Sequence, residues 1–170
     1  MKPFLSVVVL ARSDRRHIAP TLTAIRRALA HRHASYEILV ADAGATDETM
    51  AIAARMAAVF PELRVIQTIA DAHGSVRAFI DADDAAGADG FGELTTSRIG
   101  SILPYFEQGF HVVTSRPRGW FRRPLLEAIS AHAVDAMLPY IGGGIRDFRA
   151  EAPARARAAG LRTKNLPEGI

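Results

Sequence analysis

Short, almost wholly apolar segments alternate along this chain with longer segments in which apolar residues recur at helical spacing. Residues 4–11 form a continuous β-branched run, typical of a strand that is covered on both faces, and residues 36–43 are predicted as the second strand. Between them, Ile18 and Leu22 begin the apolar face of a helix predicted over residues 18–32. Strands that alternate with helices form a mostly parallel sheet with helices on both faces. We therefore predict a compact α/β fold.

The same patterns extend over the rest of the chain. Pro61 ends a second helix, whose first turn Thr46 or Asp47 is expected to cap. Further strands are predicted at residues 63–69, 75–82 and 110–115, further helices at residues 94–108, 125–138 and 152–159, and an edge strand within residues 161–167. At 170 residues and 49% apolar composition the chain can bury a core, and we expect one domain over residues 1–170.

Composition excludes several classes of site. The chain has no cysteine, so disulfides, thiolate metal sites and a cysteine nucleophile are ruled out. Nowhere do about 20 apolar residues run together, and the apolar start is too short and too soon charged for a signal peptide. We expect a cytoplasmic protein. A net charge of +3 suits an anionic ligand without requiring nucleic acid.

Acidic residues follow the ends of predicted strands. In a parallel sheet the carboxyl ends of the strands meet at one edge, where ligands bind, and there the sequences ARSD, ADAGATD and DADD are expected together. The oxygens of Asp81 and Asp83 can hold a hard divalent cation, Mg²⁺ or Mn²⁺, which would take phosphate oxygens as its other ligands. The alternative is a solvated loop in which Asp84 caps the next segment.

Four segments in order carry a resemblance to a known family. SVVVLARSD (residues 6–14), LVADAGATDET (39–49), FIDADD (79–84) and GFHVVTSR (109–116) resemble segments of the family 2 glycosyltransferases, which have a GT-A, Rossmann-like fold. Their first three counterparts there read SVVIPAYNE, VVDDGSTDGT and LDADD. GIRDFRAE, at residues 144–151, and the basic loop before it are similar to polyprenyl-phosphate mannosyltransferase relatives.

The resemblance implies a reaction and a set of site residues. The reaction is transfer of a sugar from a nucleotide-diphosphate donor to an acceptor. Asp42 would lie at the nucleoside pocket, and Asp81 and Asp83, as the DXD motif, would flank or ligate the metal-diphosphate unit, with Asp83 as the direct ligand. The metal would neutralise charge that develops on the departing nucleoside diphosphate.

The chain departs from the family pattern at two strand ends. Arg12, Ser13 and Asp14 stand where the family has Tyr-Asn-Glu, so an aromatic stacking partner for the base is lost, and Arg12 is instead expected to pair with phosphate. Ala43 replaces the second of two adjacent acids, the one expected to bond the base.

A larger departure lies between the third and fourth strands. The family has a glycine-rich turn and a helix there, whereas this chain has only IADAHG, residues 69–74. The missing helix leaves an open pocket, or a sheet face for another chain to cover, which makes a homo-oligomer an alternative. Asp147 is the best-placed catalytic base; alternatively it is an ion-pair partner of Arg146 or Arg149.

A basic loop follows the fifth predicted strand. Guanidinium groups beside aromatic residues suit an anionic lipid headgroup or a polyprenyl-phosphate acceptor, with the protein peripheral at a membrane surface. The alternative is a solvated loop whose tryptophan fills the core. A nucleic-acid site ranks lower, because the rest of the chain has no extended basic stripe. The residues concerned are Arg116, Arg118, Trp120, Arg122 and Arg123.

Two other functions compete with sugar transfer. A nucleotidyltransferase would have a glycine-rich signature after its first strand, and LARSDRR has no glycine with which to wrap a triphosphate. A reduced, non-catalytic binding module is favoured by Ala43 and the missing helix. The intact DADD argues against that module, because clustered carboxylates repel one another and are unfavourable where they bind no ligand.

Overall fold

The computed structural model describes residues 2–30, 35–82, 91–115, 125–141 and 144–166. Within these ranges seven strands form one sheet, and helices cover both of its faces. The strands are Leu5–Ala11 (β1), Tyr36–Asp42 (β2), Leu63–Ile66 (β3), Val76–Asp81 (β4), Val112–Ser115 (β5), Leu125–Ser130 (β6) and Thr163–Asn165 (β7). The α-helices are Ile18–Ala30 (α1), Thr49–Ala57 (α2), Phe91–Glu107 (α3), Ala131–Met137 (α4) and Ile145–Ala158 (α5).

The strand directions bring several chain ends to one edge. The order across the sheet is β3-β2-β1-β4-β6-β5-β7. β1 is parallel to β2 and β4, whereas β6 is antiparallel to both β4 and β5. We call the edge at which β1, β2 and β4 end, at Ala11, Asp42 and Asp81, the carboxyl edge. It is where an open parallel sheet binds its ligands.

Alternate residues of the central strands face two separate apolar layers. Val7 and Val9 pack with apolar residues of α1, α2 and α3. Val8 and Leu10 face the other way, toward α4 and α5. Burying each such side chain contributes about 1.5–3 kcal/mol, so both layers hold the sheet between them. The predicted fold class, a mostly parallel α/β sheet covered on both faces, is confirmed.

The segment 125–138, predicted as one helix, is divided in the structure. Its first six residues form β6, and only Ala131–Met137 is helical, so the prediction of a helix over residues 125–130 is wrong. A segment of six residues fits a strand or a helix by its pattern alone. Pairing with β4 and β5 decides for the strand. Ser130 then starts α4, because its hydroxyl accepts the Ala133 backbone N–H at 3.2 Å.

α5 also begins earlier than the sequence indicated, at Ile145 rather than at residue 152. Its buried stripe runs through Ile145, Phe148, Ala152 and Ala156, at the spacing of one helical face. The same stripe includes one charged residue, Arg149. α5 therefore carries a guanidinium group into the apolar layer that it helps to form.

The connection between β3 and β4 contains no α-helix, as predicted. Its 3₁₀ turn, Ile69–Asp71, is capped by Thr68, whose hydroxyl accepts the Ala70 N–H at 3.3 Å. Gly74 then lies against β1: a Cβ atom there would come within 2.5 Å of the Ser6 backbone nitrogen. The connection thus brings the chain back to the sheet beside β1 without an intervening α-helix.

A buried polar row crosses the sheet at the opposite end from the carboxyl edge. Ser6 of β1 is in register with Glu37 of β2 and with Arg77 of β4. The Glu37 carboxylate accepts hydrogen bonds from the Ser6 hydroxyl and from Arg64 Nη2, both at 2.6 Å, and from the His73 backbone N–H at 2.7 Å. Burial alone would raise the pKa of Glu37, but these hydrogen bonds together lower it below its usual 4.5.

This network makes stability depend on pH. The Glu37 pKa is lower in the folded chain, so its stabilisation is complete above the unfolded pKa and is lost as pH falls through the folded pKa. We expect Glu37→Gln to lower the free energy of unfolding at neutral pH by roughly 1–3 kcal/mol, and the difference to shrink in acid. Urea unfolding across this pH range measures it. A difference that stayed constant in acid would contradict an ionised Glu37 as its source.

Candidate functional site

The carboxyl edge brings together the ends of β1, β2 and β4, the three strands after which the sequence indicated a ligand site. Ala11, the last residue of β1, is in register with Asp42 of β2, and its neighbour Leu10 is in register with Asp81 of β4. Asp42 and Asp81 therefore flank β1 one residue apart in level and point to opposite faces of the sheet. Asp42 is exposed, whereas Asp81 is buried.

The loops after β1 and β2 are tied to each other. The Asp14 backbone N–H donates to Thr49 Oγ1 at 2.8 Å, and the hydroxyls of Ser13 and Thr46 lie 2.9 Å apart. The Thr49 hydroxyl is fully buried and in turn donates to the Asp47 carboxylate. These bonds fix the two loops relative to one another before any ligand arrives, which lowers the entropy lost on binding.

Asp42 shapes its own loop. Its Oδ1 accepts the backbone N–H groups of Gly44 and Ala45, both at 2.8 Å, as in an Asx turn. Gly44 has a φ of 101°, which a side chain rarely adopts, so the turn needs glycine there. The side chain for which the resemblance implies a place at a nucleoside pocket thus holds the backbone of its own loop.

Asp47 helps to start α2, although not as the residue directly before it. That residue is Glu48, whose side chain makes no capping bond, whereas Asp47 Oδ1 accepts the Thr49 backbone N–H at 2.9 Å. The hydrogen bond from the Thr49 hydroxyl is the largest of the causes that lower the pKa of Asp47. The carboxylate is therefore held ionised at the edge of the loop pair.

Asp81 is held by arginine. Its Oδ2 accepts a hydrogen bond from Arg149 Nη1 at 2.6 Å, and the two residues are only 8% and 5% exposed. Its Oδ1 lies 4.0 Å from Nη2 of Arg12, whose side chain is 54% exposed. Oδ1 is buried and has no hydrogen-bond partner in the described part of the chain. Two guanidinium groups thus balance this carboxylate, and its Oδ1 accepts no hydrogen bond from the described residues.

Arg149 is the site residue that sequence reasoning missed. It was considered only as a partner for Asp147, yet Arg149 pairs with Asp81, 68 residues earlier in sequence. Asp147 lies exposed on the first turn of α5 and makes no ion pair with another described residue. The available signal was a lone arginine in the apolar stripe of a helix, which requires a buried acceptor.

The other predicted site residues lie outside the described ranges. They are Asp83 and Asp84 after β4, and Arg116, Arg118, Trp120, Arg122 and Arg123 between β5 and β6. The residues that flank the second group are described, and Ser115 of β5 is paired with Leu125 of β6. The chain therefore leaves and re-enters the sheet at the carboxyl edge, since β5 runs parallel to β4 in direction.

Solved structures of glycosyltransferases share this architecture. A Pyrobaculum calidifontis mannosyltransferase in complex with GDP-Man and Mn²⁺ matches 99% of this chain over 56% of its own, with a TM-score of 0.63 and 14% identity. S. aureus TarS 1-349 in complex with UDP-GlcNAc matches 100% of this chain over 57% of its own, with a TM-score of 0.57 and 14% identity. The Mycobacterium tuberculosis glucosyl-3-phosphoglycerate synthase in complex with Mn²⁺, UDP and glucosyl-3-phosphoglycerate matches 97% of this chain over 70% of its own. Its TM-score is 0.59 and its sequence identity 19%.

This chain has a GT-A-like fold. Its identity to these proteins is low, so the likeness concerns the fold alone. The chain spans little more than half the length of the first two. No model of a protein family matches the chain, and no curated protein matches it in sequence. Among the helices in the described ranges, none is long and apolar enough to cross a membrane.

The GT-A-like fold raises the question of a metal, because two of these solved structures hold Mn²⁺. Within the described residues, no three acidic or histidine side chains converge as a metal site. One atom does fit: Asp81 Oδ1 is a carboxylate oxygen at the carboxyl edge, buried and without a hydrogen bond from the described residues. A hard divalent cation takes such oxygens as ligands. The residue thus suits a metal that other ligands complete.

Proposed function

We propose that this chain is a family 2 glycosyltransferase, related to polyprenyl-phosphate mannosyltransferases, which transfers a sugar from a nucleotide-diphosphate donor with the help of Mg²⁺ or Mn²⁺. The observation that carries the proposal is Asp81, which Arg149 fixes at the carboxyl edge of a GT-A-like sheet and whose Oδ1 accepts no hydrogen bond from the described residues. We propose further that residues 1–170 form one such domain.

The donor would lie along the carboxyl edge between β2 and β4. Asp42 would border the nucleoside, and Arg12, with its exposed side chain, would turn from Asp81 to the diphosphate. Asp81 and Asp83 would hold the metal, with Asp83 as the more direct ligand. When bound, the metal neutralises negative charge on the leaving diphosphate. Arg12 would stabilise the same charge.

The transfer exchanges one bond for another. The bond between the anomeric carbon and the diphosphate oxygen breaks, its electron pair leaves with the nucleoside diphosphate, and the acceptor oxygen forms the new bond. If the acceptor is a hydroxyl, its proton goes to Asp147, which lies exposed two residues before Arg149. A phosphate acceptor is already anionic and needs no base.

The basic loop would bind the acceptor. Arg116, Arg118, Arg122 and Arg123 suit a phosphate headgroup, and Trp120 suits the adjoining apolar chain. An anionic lipid or a polyprenyl phosphate has both parts. We propose that the protein works in the cytoplasm, at a membrane surface when it meets such an acceptor.

A non-catalytic binding module is the second candidate. It is favoured by the β3–β4 connection, which has only a 3₁₀ turn where the resembled family has a donor-lining helix. Ala43 at the end of β2 supports the same alternative. Such a module would bind a nucleotide or a protein partner, including a second copy of the chain, without turnover.

Nucleotide binding tests the first proposal. We expect calorimetric titration with UDP and GDP to show binding of one of them with Mn²⁺ and none with EDTA. Asp83→Ala should abolish the metal-dependent binding without lowering the unfolding temperature, because a repelling charge is removed. The control is Glu151→Ala, an exposed acid on α5, which should bind as the parent chain does.

Each departure from these results has a distinct meaning. No binding by the folded chain, with either nucleotide, would contradict the transferase proposal. Metal-dependent binding without hydrolysis or transfer of the sugar from any nucleotide sugar tested would favour the binding module. A large loss of stability in Asp83→Ala would mark that carboxylate as structural.

The acceptor proposal is tested separately. Changing Arg122 and Arg123 together to Ala should weaken binding to vesicles containing anionic lipid, by about 1 kcal/mol for each arginine removed, and leave nucleotide binding unchanged. The matched control is Arg155 and Arg157 to Ala, which removes the same charge from exposed positions on α5. Equal losses in the two double variants would indicate net charge alone and contradict a specific loop site.

A further inference from the structure

Arg149 makes an unusual set of contacts for a residue that is 5% exposed. Its Nε donates to the Leu126 backbone oxygen of β6 at 3.1 Å, and its Nη1 donates to Asp81 Oδ2 of β4 at 2.6 Å. Its guanidinium carbon also lies 5.9 Å from the ring centroid of Phe79. The guanidinium group is therefore fixed to two strands and one ring, and it has little freedom to rotate.

Fold stability does not by itself account for this arrangement. Replacing a buried ion pair with well-packed apolar side chains is often neutral or stabilising, because both charges are desolvated in the pair. The surrounding layer is apolar, and an uncharged side chain would fit its character. The pair also leaves Asp81 Oδ1 buried without a hydrogen bond from described residues, which is unfavourable in the absence of a ligand.

The geometry assigns the two oxygens of Asp81 different tasks. Oδ2 is taken by Arg149, which stops the carboxylate from rotating about its last bond. Oδ1 is consequently held in one direction, with Arg12 Nη2 at 4.0 Å as its charged neighbour. Arg12 is half exposed and can move to an incoming anion, whereas Arg149 cannot.

We propose that Arg149 is a positioning residue for the donor: it grips Asp81 through Oδ2 so that Oδ1 is the atom presented to the metal-diphosphate group. The inference rests on the proposed function. Arg149 touches neither donor nor metal, and it acts only through Asp81. Residues of this kind, which orient a ligand atom from behind, commonly change metal affinity by about 10–100-fold when they are replaced.

Three substitutions in the Asp81–Arg149 pair, and one control on the same helix, test this positioning role. Arg149→Met fills much of the same volume without charge or donors. Arg149→Lys keeps the charge, but its single ammonium group cannot reproduce the planar fork that joins Asp81 to Leu126. Asp81→Asn removes the charge of the partner. Arg155→Met, on the exposed face of the same helix, is the matched control for loss of an arginine from α5.

The experiment is a double-mutant cycle read out by binding. Calorimetry measures the affinity for the nucleotide that the parent chain binds with Mn²⁺, in Arg149→Met, in Asp81→Asn and in the double variant, below their unfolding temperatures. We expect each single change to weaken binding by at least about tenfold and the double change to be no weaker than the worse single one. Arg149→Lys should lie between parent and Arg149→Met, and Arg155→Met should match the parent.

The outcomes separate this inference from the proposed function. If the parent chain binds neither UDP nor GDP with Mn²⁺, both the proposed function and the positioning role of Arg149 are contradicted. If the parent binds and folded Arg149→Met binds equally well, only the positioning role is overturned. Additive losses in the double variant would also overturn it, because Arg149 would then contact the donor itself. Should Arg149→Met fail to fold, Arg149→Lys decides: unchanged affinity contradicts the proposal, and weakened affinity with an unchanged unfolding temperature supports it.

Discussion

A buried ion pair between Asp81 and Arg149 joins the parallel and antiparallel parts of this sheet at the carboxyl edge. Asp81 ends β4, the last strand of the parallel set, and Arg149 belongs to α5, which covers the antiparallel strand β6. The second bond of the guanidinium group, to Leu126, ties β6 into the same unit. At this edge an ion pair therefore holds α5 against the sheet, as apolar packing does in the rest of the layer. The positive charge of Arg149 also balances the carboxylate of Asp81, the first of the acidic residues that the sequence places at the end of β4.

The two acidic strand ends differ in what they have available for a ligand. Asp42 is exposed and uses one oxygen to hold its own turn, so it can meet a ligand with little desolvation. Asp81 is buried and neutralised on one side, so its remaining oxygen acts in a medium where charge interactions are stronger than in water. The Ser13–Thr46 hydrogen bond and the bond from the Asp14 backbone N–H to Thr49 Oγ1 hold the loop after β1 against the segment that follows β2. Local contacts thus organise this edge of the sheet in the absence of any ligand.

Sequence reasoning reached most of the fold because its central strands are unambiguous. The β-branched runs of β1 and β2 and the run of β4 belong to a sheet covered on both faces, and register then sets Asp42 and Asp81 beside β1. β6 was missed because a six-residue segment carries no decisive period and its partners are distant in sequence. Arg149 was missed for a related reason: its partner is 68 residues away, and local sequence suggested Asp147 instead. Patterns predict elements well, whereas pairings between elements need the fold.

A crystal structure of the chain with Mn²⁺ and the nucleoside diphosphate that it binds would test the proposed role of Asp81 most directly. We expect Mn²⁺ within coordination distance of Asp81 Oδ1, with Oδ2 still held by Arg149 and Arg12 turned toward the diphosphate. A structure in which Arg149 has left Asp81 to bind the diphosphate, or in which the nucleotide lies away from the carboxyl edge, would contradict it.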